Sequence, residues 1–114
     1  MSAHSALAAS QVKAAAPIFA ALGDETRLRI LAKLAADGPV SIAHLSTASP
    51  VTRQAVTKHL EVLESAGLVR GEKRGRERIW ELEPRRLADA HGYLEKISAE
   101  WDGALGRLKS FVER

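Results

Sequence analysis

Apolar residues recur at helical spacing along most of this chain, and the breaks in that rhythm divide it into elements. Val12, Ala15, Ile18, Phe19 and Leu22 share one face of a predicted helix over 12–22, although Pro17 inside it implies a kink or a late start. Gly23 ends that helix, and Asp24 is a good N-cap for the next. In "DETRLRILAKLAADG" the spacing assigns Leu28, Leu31, Leu34 and Ala35 to one face, and Asp24 and Glu25 suit the positive end of the helix dipole. "DGP" at 37–39 stops it. Ser41 is placed to cap a two-turn helix, "SIAHLSTA", with Ile42 and Leu45 turned inward, and Ser49–Pro50 breaks it. Thr52 then caps a helix from Arg53 to Ala66, which Gly67 closes in a position that favours a left-handed residue.

After Gly67 the period changes. "LVRGEKR" and "ERIWEL" read as two strands, with Trp80 and Leu82 on one face of the second. Gly75, between Arg74 and Arg76, supplies the turn, and a loop of three or more residues is expected there. Pro84 opens a last helix that runs to about residue 112. In it Leu87, Leu94, Trp101 and Leu108 recur every seven residues, and His91, Ser98, Leu105 and Val112 repeat the pattern four residues on. Ala90, Ile97, Ala104 and Phe111 widen this stripe beyond what one small core needs, so it is expected to cover the domain and also to meet a partner helix. Gly92, Gly103 and Gly106 each weaken one straight helix by about 1 kcal/mol relative to alanine, and a bend is expected near Gly103. The expected organisation is a flexible tail over residues 1–11 and one domain over 12–114, ending in a dimerisation helix at about 84–112.

With 114 residues, 46% hydrophobic and 4% aromatic, the chain suits a single, largely helical domain. The absence of cysteine excludes disulfides, thiolate metal sites and cysteine nucleophiles. No apolar run approaches a membrane span, and "MSAHSALAASQVKAAAP" is a poor secretory signal, so a cytoplasmic location is expected. The net charge of +3 is modest but uneven: residues 51–80 hold seven basic groups against four acidic ones. A local basic excess is the footprint of a nucleic-acid-binding surface.

The short helix, its turn and the helix from Arg53 together make a helix-turn-helix, whose second helix is the usual groove reader. Val56, Leu60 and Leu63 cluster on the inner side of that helix, while Gln54, Thr57, Lys58 and Glu61 point away and Arg53 lies at its N-terminal tip. Arginine can bond guanine bidentately, glutamine adenine, and threonine a thymine methyl or a phosphate. Glu61 and Glu64, one turn later, repel phosphates, so only the first two turns are expected to enter a groove. The reading residues are therefore Thr52, Arg53, Gln54, Thr57 and Lys58. The arginine-rich hairpin, with Arg70, Lys73, Arg74, Arg76 and Arg78, reads as a wing lying along the DNA backbone or minor groove. An ordinary charged hairpin edge that discourages aggregation is the bland alternative.

"ALGDETRLRIL", "RQAVTKHLEVLESAGLV" and "GRERIWEL" resemble the ArsR/SmtB family of winged-helix repressors, over roughly Ile18 to Leu87. The pattern at Trp101, Asp102, Leu105 and Leu108 resembles the branch without known metal sites. The resemblance implies a mainly α winged helix-turn-helix fold with a small β-hairpin, in the order α-α-α-α-β-β-α. It also implies a homodimer joined through first and last helices, a two-fold symmetric operator, and repression by blocking polymerase. Its dimer-interface residues here are Ile18, Phe19, Leu87, His91, Leu94, Ser98, Trp101, Leu105 and Leu108. His59 matches a histidine common in the family, and its wheel position on the core flank suits structure or phosphate contact.

Many relatives sense a metal. The family's paired cysteines are matched by Ser41 and Ala43, so that site is missing. A second family site, between the two last helices, is matched only in part by Asp89, His91 and Asp102, which is a poor zinc donor set. His4 and His44 lack partners at ligand spacing. No phosphate loop, nucleophile elbow or acid–base constellation is present, so neither an enzyme nor a cofactor is expected. The expectation is a homodimeric, DNA-binding repressor. The alternatives are a metal-responsive repressor using Asp89, His91 and Asp102, and a winged-helix module that binds only protein.

Overall fold

A computed structural model describes residues 9–47 and 50–113. The elements are α1 (Ala9–Leu22), α2 (Glu25–Asp37), β1 (Val40–Ser41), α3 (Ile42–Thr47), α4 (Arg53–Ser65), β2 (Val69–Arg74), β3 (Glu77–Leu82) and α5 (Pro84–Val112). Residues 1–8 of the expected tail, His4 among them, and Ser49 of the predicted break lie outside the described residues. α1 begins at Ala9 rather than Val12 and continues through Pro17.

Local signals place most boundaries. Asp24 accepts the Arg27 backbone N–H at 3.0 Å, Ser41 Oγ that of His44 at 3.3 Å, and Thr52 Oγ1 that of Ala55 at 3.1 Å. Each satisfies a donor that the first turn of a helix leaves open. Gly67 leaves α4 with φ +78°, as its position required.

The core is where the inner faces of α1, α2, α3, α4 and the hairpin meet. Ile18, Leu31, Leu34, Leu45, Val56, Leu60, Leu63, Leu68 and Trp80 are buried there. The α2 face differs from the expected one: Ile30 is buried with Leu31 and Leu34, whereas Leu28 is 50% exposed and Ala35 is exposed. Arg27 explains part of this rotation. Its Nε donates to Ala21 O at 2.6 Å and its Nη2 to Ala20 O at 3.3 Å, so the last carbonyls of α1 are held by the flank of α2 beside Ile30 and Leu31.

The sheet has one more strand than expected. β1 pairs antiparallel with β3 through Val40↔Trp80 and Ser41↔Ile79, giving the order β1-β3-β2. Two residues are too few to show a period of two. The hairpin turn is also tighter than expected. Arg74 pairs with Glu77 across a two-residue turn, and Gly75 at φ +63° occupies its first position, where the hairpin twist calls for glycine. α5 is continuous from Pro84 to Val112, through Gly92, Gly103 and Gly106. Its glycines lower helix propensity without removing a backbone donor, which is what proline would do.

Asp24 also yields a prediction. The Arg27 backbone N–H, and then the positive charge of Arg27, hold its carboxyl below the ordinary aspartate value. A lowered folded-state pKa stabilises above that ordinary value, and the gain is lost as pH falls through the lowered one. Asp24→Asn keeps an accepting oxygen but not the charge. It should flatten the acid limb of a denaturant-midpoint profile measured from about pH 5 to pH 2; an unaltered acid limb would remove Asp24 from that account.

Candidate nucleic-acid interface

α4 has two chemically separate faces. Val56, Leu60 and Leu63 are completely buried on one. Arg53, Gln54, Lys58 and Glu61 are exposed on the other. The inner face is fixed by close packing, so the outer face is presented on a rigid support. Thr52 and Thr57, expected among the reading residues, have duties within the helix. The Thr52 hydroxyl is the N-cap, and half-buried Thr57 donates from Oγ1 to Arg53 O at 3.0 Å. His59 lies on the flank. Its Nδ1 is 3.3 Å from Arg27 Nη1 and 3.9 Å from Asp24 Oδ2, so it links α4 to the start of α2.

The five cations of the hairpin divide into two sets. Arg70 and Arg78 are engaged within the subunit. Arg70 donates from Nε to Glu81 at 2.8 Å and from Nη1 to Glu83 at 3.2 Å, and these two carboxylates raise its pKa above the ordinary arginine value. Arg78 donates to Glu64 at 3.3 Å and stands over the Trp80 ring. Arg74 lies 3.6 Å from Glu72 with both side chains exposed, a contact that solvent screens to little. Lys73 and Arg76 are exposed and make no ion pair with another described residue. The free positive charge therefore sits at the tip of the hairpin, with Arg76 in the turn itself, while the base is neutralised. Sequence reasoning assigned all five cations to DNA, with Arg74 and Arg76 projecting furthest beside the turn glycine, and gave Glu64 only a repulsive role. Neither the Glu64–Arg78 contact nor the Arg70 clamp has a local signal.

α5 presents the broad apolar stripe that its heptads predicted. Only Ala90 of this helix is buried, while Leu94, Trp101, Leu105, Leu108, Phe111 and Val112 are exposed, Trp101 by 63%. His91 and Ser98 are exposed on the same helix. One expected interface residue is placed differently. Ile18 is 3% exposed within the subunit's own core, which leaves it no surface to offer a partner. Phe19 packs against Tyr93 of α5 at a ring separation of 5.5 Å, and, like Leu87, is half-buried. Between α1 and α5 lies a cleft of about 350 Å³, bounded by Gln11, Ile18, Arg86, Asp89, Tyr93 and Lys96.

Within one subunit the residues of the partial metal match are spread along α5. Asp89 faces Arg86 at 3.4 Å and His91 faces Glu95 at 3.2 Å. Asp102 lies thirteen residues beyond Asp89 on the same continuous helix, roughly 20 Å along its axis at 1.5 Å per residue. Among the described residues no group of three histidine or carboxylate side chains within the chain could hold an ion. Nor, among them, is any helix long and apolar enough to cross a membrane.

Residues 22–72 match a family model described as a helix-turn-helix domain. Over 93 residues, which are 82% of this chain and 83% of the other protein, the sequence is 39% identical to an HTH-type transcriptional regulator of Mycobacterium tuberculosis. The structure is similar to that of an ArsR-like transcriptional regulator from Rhodococcus, with a TM-score of 0.77 at 40% identity, covering 90% of this chain and 95% of that one. It also shares its fold, at a TM-score of 0.65 and 24% identity over 88% and 92% of the two chains, with a winged helix-turn-helix DNA-binding domain of Mycobacterium bovis described as homodimeric.

Proposed function

The chain belongs to the ArsR family of winged helix-turn-helix, DNA-binding transcriptional regulators, and on that premise we propose that it is a homodimeric cytoplasmic repressor of a palindromic operator. The tip of α4 enters the major groove with Arg53, Gln54 and Lys58, while Thr52 and Thr57 hold the first turn against the backbone. Lys73, Arg74 and Arg76 of the wing follow neighbouring phosphates. Two copies joined along α5 place their α4 tips about 34–36 Å apart, one turn of the double helix. Blocking polymerase at such a site gives repression.

The observation that carries this reading is the division of α4, whose apolar face is wholly buried and whose opposite, exposed face opens with Arg53, Gln54 and Lys58. Those are base- and phosphate-binding side chains on a rigid support. The apolar stripe of α5 favours a second copy of the chain, because large apolar patches left in water mark interfaces and a heptad stripe fits a partner helix. The homodimeric relative points the same way.

A mobility-shift titration on the DNA upstream of the protein's own gene tests the reading. Gln54→Ala should cost about 1–3 kcal/mol on the specific site and almost nothing on a scrambled duplex, because it removes a base contact. Arg76→Ala should weaken both duplexes alike, because it removes a phosphate contact. Equal losses on both duplexes for Gln54→Ala would show that α4 does not read sequence.

A further inference from the structure

Glu64 carries the wrong charge for a DNA surface, and Arg78 carries the right one. The fold joins them. Arg78 Nη2 donates to Glu64 Oε2 at 3.3 Å, and the same oxygen accepts the backbone N–H of Gly71 at 3.3 Å. That amide belongs to β2, the edge strand of the sheet next to α4. On its other side the Arg78 guanidinium stands 4.9 Å from the centroid of the Trp80 ring, and Trp80 is itself 3% exposed in the core. The cation is thus held between a carboxylate on the reading helix and an indole fixed in the core. Gly71 makes the room: a Cβ there would lie 2.5 Å from Arg78 Nε and 3.0 Å from Trp80 Cζ3.

We propose that Arg78 does not contact DNA, and that with Glu64 it forms a strut setting the pitch of the wing against the reading helix. This rests on the function proposed above and adds a pair of positioning residues to it. A two-stranded ribbon bends easily at its base, and the tip magnifies the bend. From Gly71 to Gly75 the arm is about 13 Å at 3.3 Å per residue, so a rocking of about 15° moves the tip by about 3 Å. That displacement is larger than a hydrogen bond to phosphate tolerates. With Glu64 bonded to both Gly71 and Arg78, the base of the wing moves with α4. Lys73 and Arg76 then arrive at the backbone when the α4 tip is seated. The carboxylate that sequence reasoning read as a limit on groove depth is, in this arrangement, the fixed point of the wing.

The test measures dissociation constants against salt for Glu64→Gln, Arg78→Gln and the double variant, with Arg76→Ala as reference. The probe is a duplex selected by the parent protein from a random-sequence library. Each strut variant should bind about fivefold more weakly at fixed salt, as expected for an exposed ion pair with an aromatic contact. The double variant should lose the same factor rather than its square, because both substitutions break one link. The logarithmic salt slope of Arg78→Gln should equal the parent's, while that of Arg76→Ala should be shallower by about one. A slope shallower by about one for Arg78→Gln, multiplicative losses in the double variant, or unchanged affinity in both single variants would overturn the strut. Thermal unfolding of each variant within a few degrees of the parent separates a moved wing from a damaged fold. Failure of the selection to enrich any sequence would instead refute the underlying operator-binding reading, and an unchanged slope for Arg76→Ala would refute its assignment of the wing tip to phosphates.

Discussion

A chain carrying Trp101→Glu and Leu105→Glu is expected to be a monomer that no longer holds its operator. Both side chains are more than half exposed on the α5 stripe, beside Leu94, Leu108 and Phe111, and α5 has almost no buried residue of its own. In the proposed dimer, pairing α5 with its copy removes this surface from water. Burying one large apolar side chain contributes about 1.5–3 kcal/mol, and two-fold symmetry counts each substitution twice. Each change should therefore weaken dimerisation by roughly 3–6 kcal/mol, or about two to four orders of magnitude. Sedimentation velocity should show the monomer at concentrations where the parent is dimeric. Operator affinity should fall at least about a hundredfold, because one half-site contact then stands alone. Since neither residue belongs to the subunit core, far-ultraviolet dichroism should still report a helical fold. A variant that remained dimeric would mean that α5 is not the interface.

Leu60→Ala is expected to act on stability and to spare recognition. Leu60 is completely buried between Val56 and Leu63 on the inner face of α4. Truncating a leucine in such a core costs about 2–5 kcal/mol, from lost burial and from the cavity left behind. That is a large part of the 5–15 kcal/mol that stabilises a typical domain. The denaturant midpoint should fall accordingly, with an unchanged slope. Well below the new melting temperature, the folded fraction should still prefer the operator over a scrambled duplex by the parent's ratio. Gln54→Ala, six residues earlier on the opposite face, should do the reverse. The two substitutions together test whether α4 divides its work between its faces. A Leu60→Ala variant that kept its stability but lost its preference would contradict that division.

Much of this was legible in the linear chain. Asp24, Ser41 and Thr52 announced helix starts, Gly67 announced a positive φ and Gly75 a turn, and the heptads of α5 announced a stripe too wide for one core. Other features were not. β1 is two residues long and exists only because Trp80 and Ile79 present a free edge to it. The α2 face turned toward Ile30 because Arg27 is held against the end of α1. Ile18 was assigned to an interface through the family resemblance, and its burial depended on how α1 lies against the core.

The boundary between the two kinds of feature follows the range of the forces involved. Caps, turns and amphipathic periods depend on groups within about four residues of one another, so the order of residues decides them before any tertiary contact forms. Which cations of the wing are free depends on carboxylates eleven to fourteen positions away, Glu81, Glu83 and Glu64. Only the paired hairpin, packed on α4, brings those charges within hydrogen-bonding distance of one another. The chain alone therefore specified a reading helix and a basic hairpin, whereas the folded arrangement placed the free charge at Lys73 and Arg76 and tied Arg70 and Arg78 to the protein itself.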